Sequence, residues 1–200
     1  MKGAFITLYG INNIGKSTQA KLLVEGLKGF GLDAVYLKYP IYDLEPTGPA
    51  INAILRNEQK QKVSEEELQT LFTQNRKDFE PQLEKMIQDG KVVIAEDYAG
   101  TGIAWGTAKG LDFDRVTNLN KDLKKEDFAI LLKGERFLSA REQVHIHEQD
   151  DELVGKVGRV LQMMSDKYGW HEIEVKGRIP ETAEVLFNVV LDFLRDFRSQ

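Results

Sequence analysis

Short apolar, β-prone runs alternate along this chain with stretches whose apolar residues recur at helical spacing. The runs Ala4 to Tyr9, Ala34 to Lys38, Lys91 to Ala95, Ala129 to Lys133 and Glu172 to Val175 read as strands. Apolar runs separated by amphipathic stretches predict an α/β fold, with a central five-stranded parallel sheet covered by helices on both faces. The first helix is Thr18 to Leu27, stopped near Gly29 and Gly31. Ser64-Glu65-Glu66-Glu67 reads as a capping box that opens a helix through Leu68, Leu71, Phe72, Asn75, Arg76 and Phe79, with Pro81 expected to kink or divide it. Asp150 to Tyr168 carries a stripe of Val154, Val157, Val160, Leu161 and Met164, and its Met163-Met164 pair is read as core filling. Glu181 to Arg198 is expected to pack Val185, Leu186, Val189, Val190 and Phe193 onto the sheet. No internal repeat or low-complexity segment interrupts the pattern.

The first strand and first helix bracket Gly10-Ile11-Asn12-Asn13-Ile14-Gly15-Lys16-Ser17, which fits G-x-x-x-x-G-K-[ST] without a mismatch. Two glycines let the backbone wrap closely around a polyphosphate, with successive N–H groups and the helix N-terminus aimed at it. The nucleotide-binding set is therefore Gly10, Asn12, Asn13, Ile14, Gly15, Lys16, Ser17 and Thr18. Lys16 would neutralise β/γ oxygens, and the Ser17 hydroxyl would take a position on Mg²⁺. An ordinary Gly-rich turn would not require the Lys and Ser in register with both strand and helix.

Composition narrows this picture by exclusion. The 200 residues suit one α/β domain over 1–200 better than two. A net charge of -5, with both signs interspersed, argues against binding nucleic acid or an anionic membrane by electrostatics alone. The absence of cysteine rules out disulfides and cysteine-based metal sites or nucleophiles. The N-terminal apolar run is interrupted by Gly10 and Asn12, and no stretch is long enough to cross a bilayer, so a soluble, cytoplasmic protein is expected.

Lys38-Tyr39-Pro40-Ile41-Tyr42 ends the second strand and opens a loop at the sheet's carboxyl edge, where α/β proteins take ligands. Phe72 and Arg76, four apart, project from one helix face, so a planar base could stack on one and accept hydrogen bonds from the other. Periodicity alone favours a core Phe72 and a surface Arg76.

The third strand continues into Glu96-Asp97-Tyr98 and then Ala99-Gly100-Thr101-Gly102-Ile103-Ala104-Trp105. With these residues the chain resembles the thymidylate kinases, nucleoside monophosphate kinases that transfer the γ-phosphoryl group of ATP to dTMP. Matching features follow in the family's order: the phosphate loop running on into Ser17-Thr18-Gln19, Tyr39-Pro40 for a Phe-Pro turn, and Gly48 with Ile51 for the turn and helix after it. Leu71-Phe72 with Asn75-Arg76 matches Leu-Phe-x-x-Asn-Arg, Glu96-Asp97-Tyr98 stands for Asp-Arg-Tyr, and Ala104-Trp105 for Ala-Tyr. The resemblance implies a P-loop NTPase fold, three-layer α/β/α, with ATP, Mg²⁺ and a homodimer. It places thymine on Phe72 with Arg76 as its hydrogen-bond donor, and sets Trp105 against the sugar, where it disfavours a 2'-hydroxyl. Tyr39, Pro40, Tyr42, Asp97 and Tyr98 complete the acceptor site. Glu96 would hold Mg²⁺ through water or orient the acceptor, making Lys16, Glu96 and Arg141 the catalytic set and Ser17 with Glu96 the metal set. Residues 135–151 would form a lid over ATP, with Arg136 and Arg141 as its available arginines. His145 and His147 read as part of a solvated loop.

The departures from that pattern fall on charge. Asn12-Asn13 leaves the phosphate loop without an arginine, Tyr42 stands where many members carry one for the acceptor phosphate, and Asp97 replaces the arginine of Asp-Arg-Tyr. At Asp97 one attraction becomes one repulsion, and at an effective dielectric of about 20 and a separation of roughly 5 Å each of these terms is on the order of 3 kcal/mol before screening. Either Lys38 or Lys109 pairs with Asp97 and takes over the phosphate, or the acceptor carries less charge there. Three readings stay open: a divergent thymidylate kinase, a kinase of the same fold acting on another nucleotide or a nucleoside, and a nucleotide-binding regulatory module with weak turnover.

Overall fold

The computed structural model describes residues 2–56, 63–136 and 151–199. Its strands are β1 (Ala4–Tyr9), β2 (Ala34–Lys38), β3 (Val92–Glu96), β4 (Phe128–Lys133) and β5 (His171–Glu174), all parallel, in the order β2-β3-β1-β4-β5. The helices of the described residues are α1 (Lys16–Gly29), α2 (Thr47–Leu55), α3 (Glu65–Gln88), α4 (Ala99–Ala108), α5 (Phe113–Leu119), α6 (Asp151–Tyr168) and α7 (Ile179–Ser199). Every residue of β1 and β3 is buried, which is why both read as unbroken apolar runs and not as alternating ones.

Strand alternation divides the core into two layers. Ile6, Leu8, Ile94 and Ile130 face α1 and α7, meeting Leu23, Leu27, Leu186 and Val190. Phe5, Tyr9, Val93 and Leu131 face the other way, toward Phe79 and Leu83 of α3 and Val157 and Leu161 of α6. The result is the expected three-layer α/β/α arrangement. From β1 the chain crosses to β2 and β3 on one side and then to β4 and β5 on the other. The carboxyl ends of β1 and β3 therefore open on the crevice where such sheets take ligands. Register decides what meets there: Leu8 lies opposite Glu96, and Glu96 opposite Lys38.

Several boundaries differ from the sequence pattern. β3 is shifted by one residue and includes Glu96, because the Glu96 carbonyl still accepts from Tyr39 N at 2.9 Å. β4 begins at Phe128 and β5 spans His171–Glu174, their ladder ending where Lys133 pairs with Glu174. Pro81 does not divide α3; it sits on the exposed side, while Phe79 and Leu83 on either side of it are buried and hold the helix to the sheet. Met164 is buried but Met163 is 43 % exposed, since adjacent helical residues point about 100° apart. In α7 Val185 is likewise exposed, and Leu191 and Leu194 complete the buried stripe. α4 escaped the alternation because Ala-Gly-Thr-Gly-Ile-Ala-Trp-Gly-Thr-Ala has no polar face to set against an apolar one. Among the described residues no helix is long and apolar enough to cross a membrane.

Candidate active site

Between β1 and α1 the backbone takes left-handed conformations at Asn13 (φ 63°) and Gly15 (φ 95°), with Gly10 at φ 151°. These turns curl the loop around one concavity, which its residues line. A Cβ on Gly10 would stand 2.9 Å from the Leu132 carbonyl oxygen, so only glycine lets the loop begin this close to β4. Lys16, 5 % exposed, folds back over its own loop and donates to the carbonyls of Gly10 (2.9 Å) and Ile11 (3.0 Å). Asn12, Asn13, Ile14, Gly15, Ser17 and Thr18 line the cleft; Gly10 does not, and serves through its carbonyl. Arg136 donates from Nε to the Asn12 carbonyl at 3.3 Å and from Nη1 to Asp151 at 2.5 Å, which sets an arginine against the phosphate loop.

The end of β3 brings two carboxylates to this loop. Ser17 Oγ donates to Glu96 Oε1 at 2.8 Å, Lys38 Nζ stands 3.2 Å from the same oxygen, and the Tyr36 hydroxyl donates to Oε2. Burial raises the Glu96 carboxyl, but Lys38, the Tyr36 hydroxyl and Lys16 outweigh it and hold Glu96 below its ordinary range. Asp97 has φ 61°, left-handed for a residue with a Cβ, and turns away from Lys38 toward the loop. Its Oδ1 lies 3.6 Å from Lys16 Nζ and accepts from Thr101 Oγ1 at 3.0 Å. Burial pushes its carboxyl up, against the pull of Lys16 and with Glu96 adding to the rise. The pairing expected from sequence is thus corrected: Lys38 pairs with Glu96, its neighbour in register, Lys109 pairs with Glu65 at 2.7 Å, and Asp97 takes Lys16.

A cleft of about 790 Å³ runs from the loop to α3 and α4. Phe72 lines it, half-buried and outside the core clusters of the described residues, while Arg76 is 4 % exposed. The reading favoured by periodicity, a core phenylalanine and a surface arginine, is reversed. Arg76 Nη1 donates to Asn120 Oδ1 at 3.3 Å, its Nε has no partner, and burial lowers its pKa. Tyr39, Pro40, Tyr42 and Trp105 line the same cleft. Tyr98 does not: it packs edge-on against Phe5 and beside Tyr39, donating its hydroxyl to the Lys124 carbonyl at 3.1 Å, because it begins α4 on the core side. Arg141, His145, His147 and the stretch 137–150 of the expected lid lie outside the described residues.

Asn75 shows why the Tyr39–Tyr42 loop stands where it does. Its Oδ1 accepts from Ile41 N at 2.7 Å, and its Nδ2 donates to Ile41 O and Thr47 Oγ1, both at 3.0 Å. Asn75→Ala strips a fully buried clamp and is expected to cost about 2 kcal/mol in denaturant unfolding. Cleft residues missed by the sequence reading include Arg56, Lys176 and Gln69. Only Gln69 had a usable signal, its spacing of i, i+3 and i+7 with Phe72 and Arg76.

A family model described as thymidylate kinase matches residues 8–182. The chain is 30% identical over 141 residues to the thymidylate kinase of African swine fever virus (strain Badajoz 1971 Vero-adapted), an alignment covering 70% of this chain and 55% of the relative. It is 28% identical over 198 residues to the thymidylate kinase of Arabidopsis thaliana, covering 98% of this chain and 73% of the relative. Against the viral and archaeal relatives it spans only 55% to 65% of their length. The solved structure of thymidylate kinase from Candida albicans shares the fold with a TM-score of 0.80 at 23% identity, over 96% of this chain and 92% of that one.

Proposed function

This chain belongs to the thymidylate kinase family, and from that premise we propose that it transfers the γ-phosphoryl group of ATP to dTMP, giving dTDP and ADP. The observation that carries the reading is one continuous cleft with a phosphate-binding loop at one end and the Phe72–Arg76 face at the other. An oxygen of the dTMP phosphate forms the new bond to the γ-phosphorus as the bond to the β-phosphate oxygen breaks. The nucleophile is already ionised, so no strong base is needed, and alignment with charge neutralisation does the catalysis. Lys16 supplies donor-side charge, Arg136 lies against the loop, and Arg56, Lys176 and Lys38, the last already paired with Glu96, are further cations of the cleft from which the acceptor phosphate would draw. Ser17 Oγ and the Glu96 carboxylate, hydrogen-bonded at 2.8 Å, are adjacent hard oxygen donors that suit Mg²⁺. Bound there, Mg²⁺ would neutralise charge on the phosphates of ATP. We read residues 1–200 as one kinase domain, cytoplasmic and homodimeric, with Arg141 contributed by a lid over about 135–151.

A coupled ADP-release assay across nucleosides and nucleoside monophosphates tests this reading. Turnover with dTMP supports it, turnover only with nucleosides would move the assignment to a nucleoside kinase, and ATP binding without turnover would leave a binding module. Phe72→Ala is expected to raise KM for dTMP by about tenfold while KM for ATP stays within about twofold, because the lost stacking concerns the acceptor base. An equal rise for both ligands would assign Phe72 to packing.

A further inference from the structure

Gln69 is 1 % exposed, lines the cleft, and carries a side-chain oxygen, Oε1, without a hydrogen-bond partner. A buried unpaired acceptor is costly, and one on a residue that lines a ligand cleft points to a donor arriving with the ligand. The amide cannot be turned over to hide it. Nε2 donates to Glu65 Oε1 at 2.8 Å, and the other Glu65 oxygen accepts from Lys109 Nζ at 2.7 Å, so this carboxylate, engaged as an acceptor on both oxygens, holds the NH₂ toward itself and Oε1 away. Oε1 and the Arg76 guanidinium converge beside Gly102: a Cβ there would be 3.1 Å from Gln69 Oε1 and 2.9 Å from Arg76 Nη2. Phe72 stands between them on the same helical stripe. The cleft thus offers a stacking ring, a cationic donor and, next to it, a fixed neutral acceptor.

We propose that Gln69 Oε1 accepts the N3–H of the acceptor's pyrimidine while Arg76 donates to O4, and that Glu65 with Lys109 is the positioning pair that fixes the amide. The site is thereby selective for thymine or uracil over cytosine. Cytosine presents the opposite edge, an N4 donor against the guanidinium and a bare N3 against Oε1, so both contacts fail together. This inference rests on the reading of the cleft as a pyrimidine nucleotide acceptor site and adds the group that chooses the base.

The test is calorimetric binding of dTMP and dCMP to the full-length wild type, Gln69→Leu and Glu65→Gln, alongside the ADP-release assay. Wild type is expected to prefer dTMP by at least about a hundredfold. Gln69→Leu should reduce that preference by about tenfold with ATP affinity unchanged. Glu65→Gln, which can also donate to Gln69 and let its amide turn over, should lower the preference by a smaller factor at an unchanged melting temperature. Should Gln69→Leu fail to fold, Glu65→Gln decides the matter. A preference for dTMP unchanged in the variant that folds, as when affinity for dTMP and dCMP falls equally, overturns the inference. Selective dTMP binding by wild type without ADP release would sink the kinase reading and leave the inference standing; no binding of either nucleotide by wild type sinks both.

Discussion

Lys16→Ala should lower kcat by about a thousandfold or more while the protein remains folded. The loss reflects removal of a preorganised charge from the transferring phosphoryl group, in a site where reorganisation would otherwise be needed. The structure changes the stability side of this expectation. Lys16 is not an exposed loop residue; it is 5 % exposed and bridges two carbonyls of its own loop while pairing with Asp97. Truncation therefore also leaves two carbonyls and a carboxylate without their cation, and a melting temperature lower by several degrees is expected beside the kinetic loss. Steady-state kinetics with circular dichroism and thermal melts make the separation. A folded variant with wild-type turnover would remove the basis of the kinase reading.

Asp97→Asn should raise kcat/KM for dTMP by roughly one to two orders of magnitude, using the on-the-order-of 3 kcal/mol repulsion between unit charges at about 5 Å, reduced by screening. The gain has two sources: a carboxylate disappears from beside the acceptor phosphate, and Lys16 is released from its 3.6 Å pairing. Asparagine is a cleaner probe than arginine, which would stand against Lys16. The pH dependence follows from direction. Asp97 is held above its usual value by burial, so as pH falls from neutral through that raised pKa the wild-type carboxyl takes up a proton and its repulsion lapses. The advantage of the variant should shrink accordingly toward acid pH, and it should also shrink with added salt. The dTMP phosphate also loses charge on acidification, which weakens the same repulsion and shrinks the advantage in the same direction. A variant that loses activity at every pH would assign Asp97 a direct part in the site, as an acceptor for a substrate hydroxyl.

What could be read from the chain alone was whatever depends on neighbours in sequence. The loop from Gly10 to Ser17 is local, and its residues from Asn12 onward line one cleft. The strands were legible because burial on both faces leaves an apolar run. The two ends of the cleft differed in this respect. Phe72 and Arg76 share a helix face, but whether that face meets a core or a ligand depends on where α4 and the Pro40 loop pack, and Asn75 sets that through contacts 34 and 28 residues away. The partner of Asp97 was unreadable for the same reason: one left-handed residue after β3 sends its side chain to Lys16 and not to Lys38. Tyr98, adjacent in sequence to two cleft carboxylates, ends in the core because α4 starts there.

The strand register has a consequence for how such a protein diverges. Leu8, Glu96 and Lys38 lie abreast at three neighbouring strand ends, so a one-residue slip of β3 would turn Glu96 to the opposite face and strip Ser17 of its carboxylate. The Ser17–Glu96 contact thus depends on backbone alignment and tolerates almost no drift in register. Tyr42, Gln69 and Asp97 lie beyond the strand ends or on a helix face, where a single codon change leaves every ladder bond intact. A change at Tyr42, Gln69 or Asp97 can thus reshape one side of the cleft while the alignment that holds Ser17 to Glu96 stays as it is.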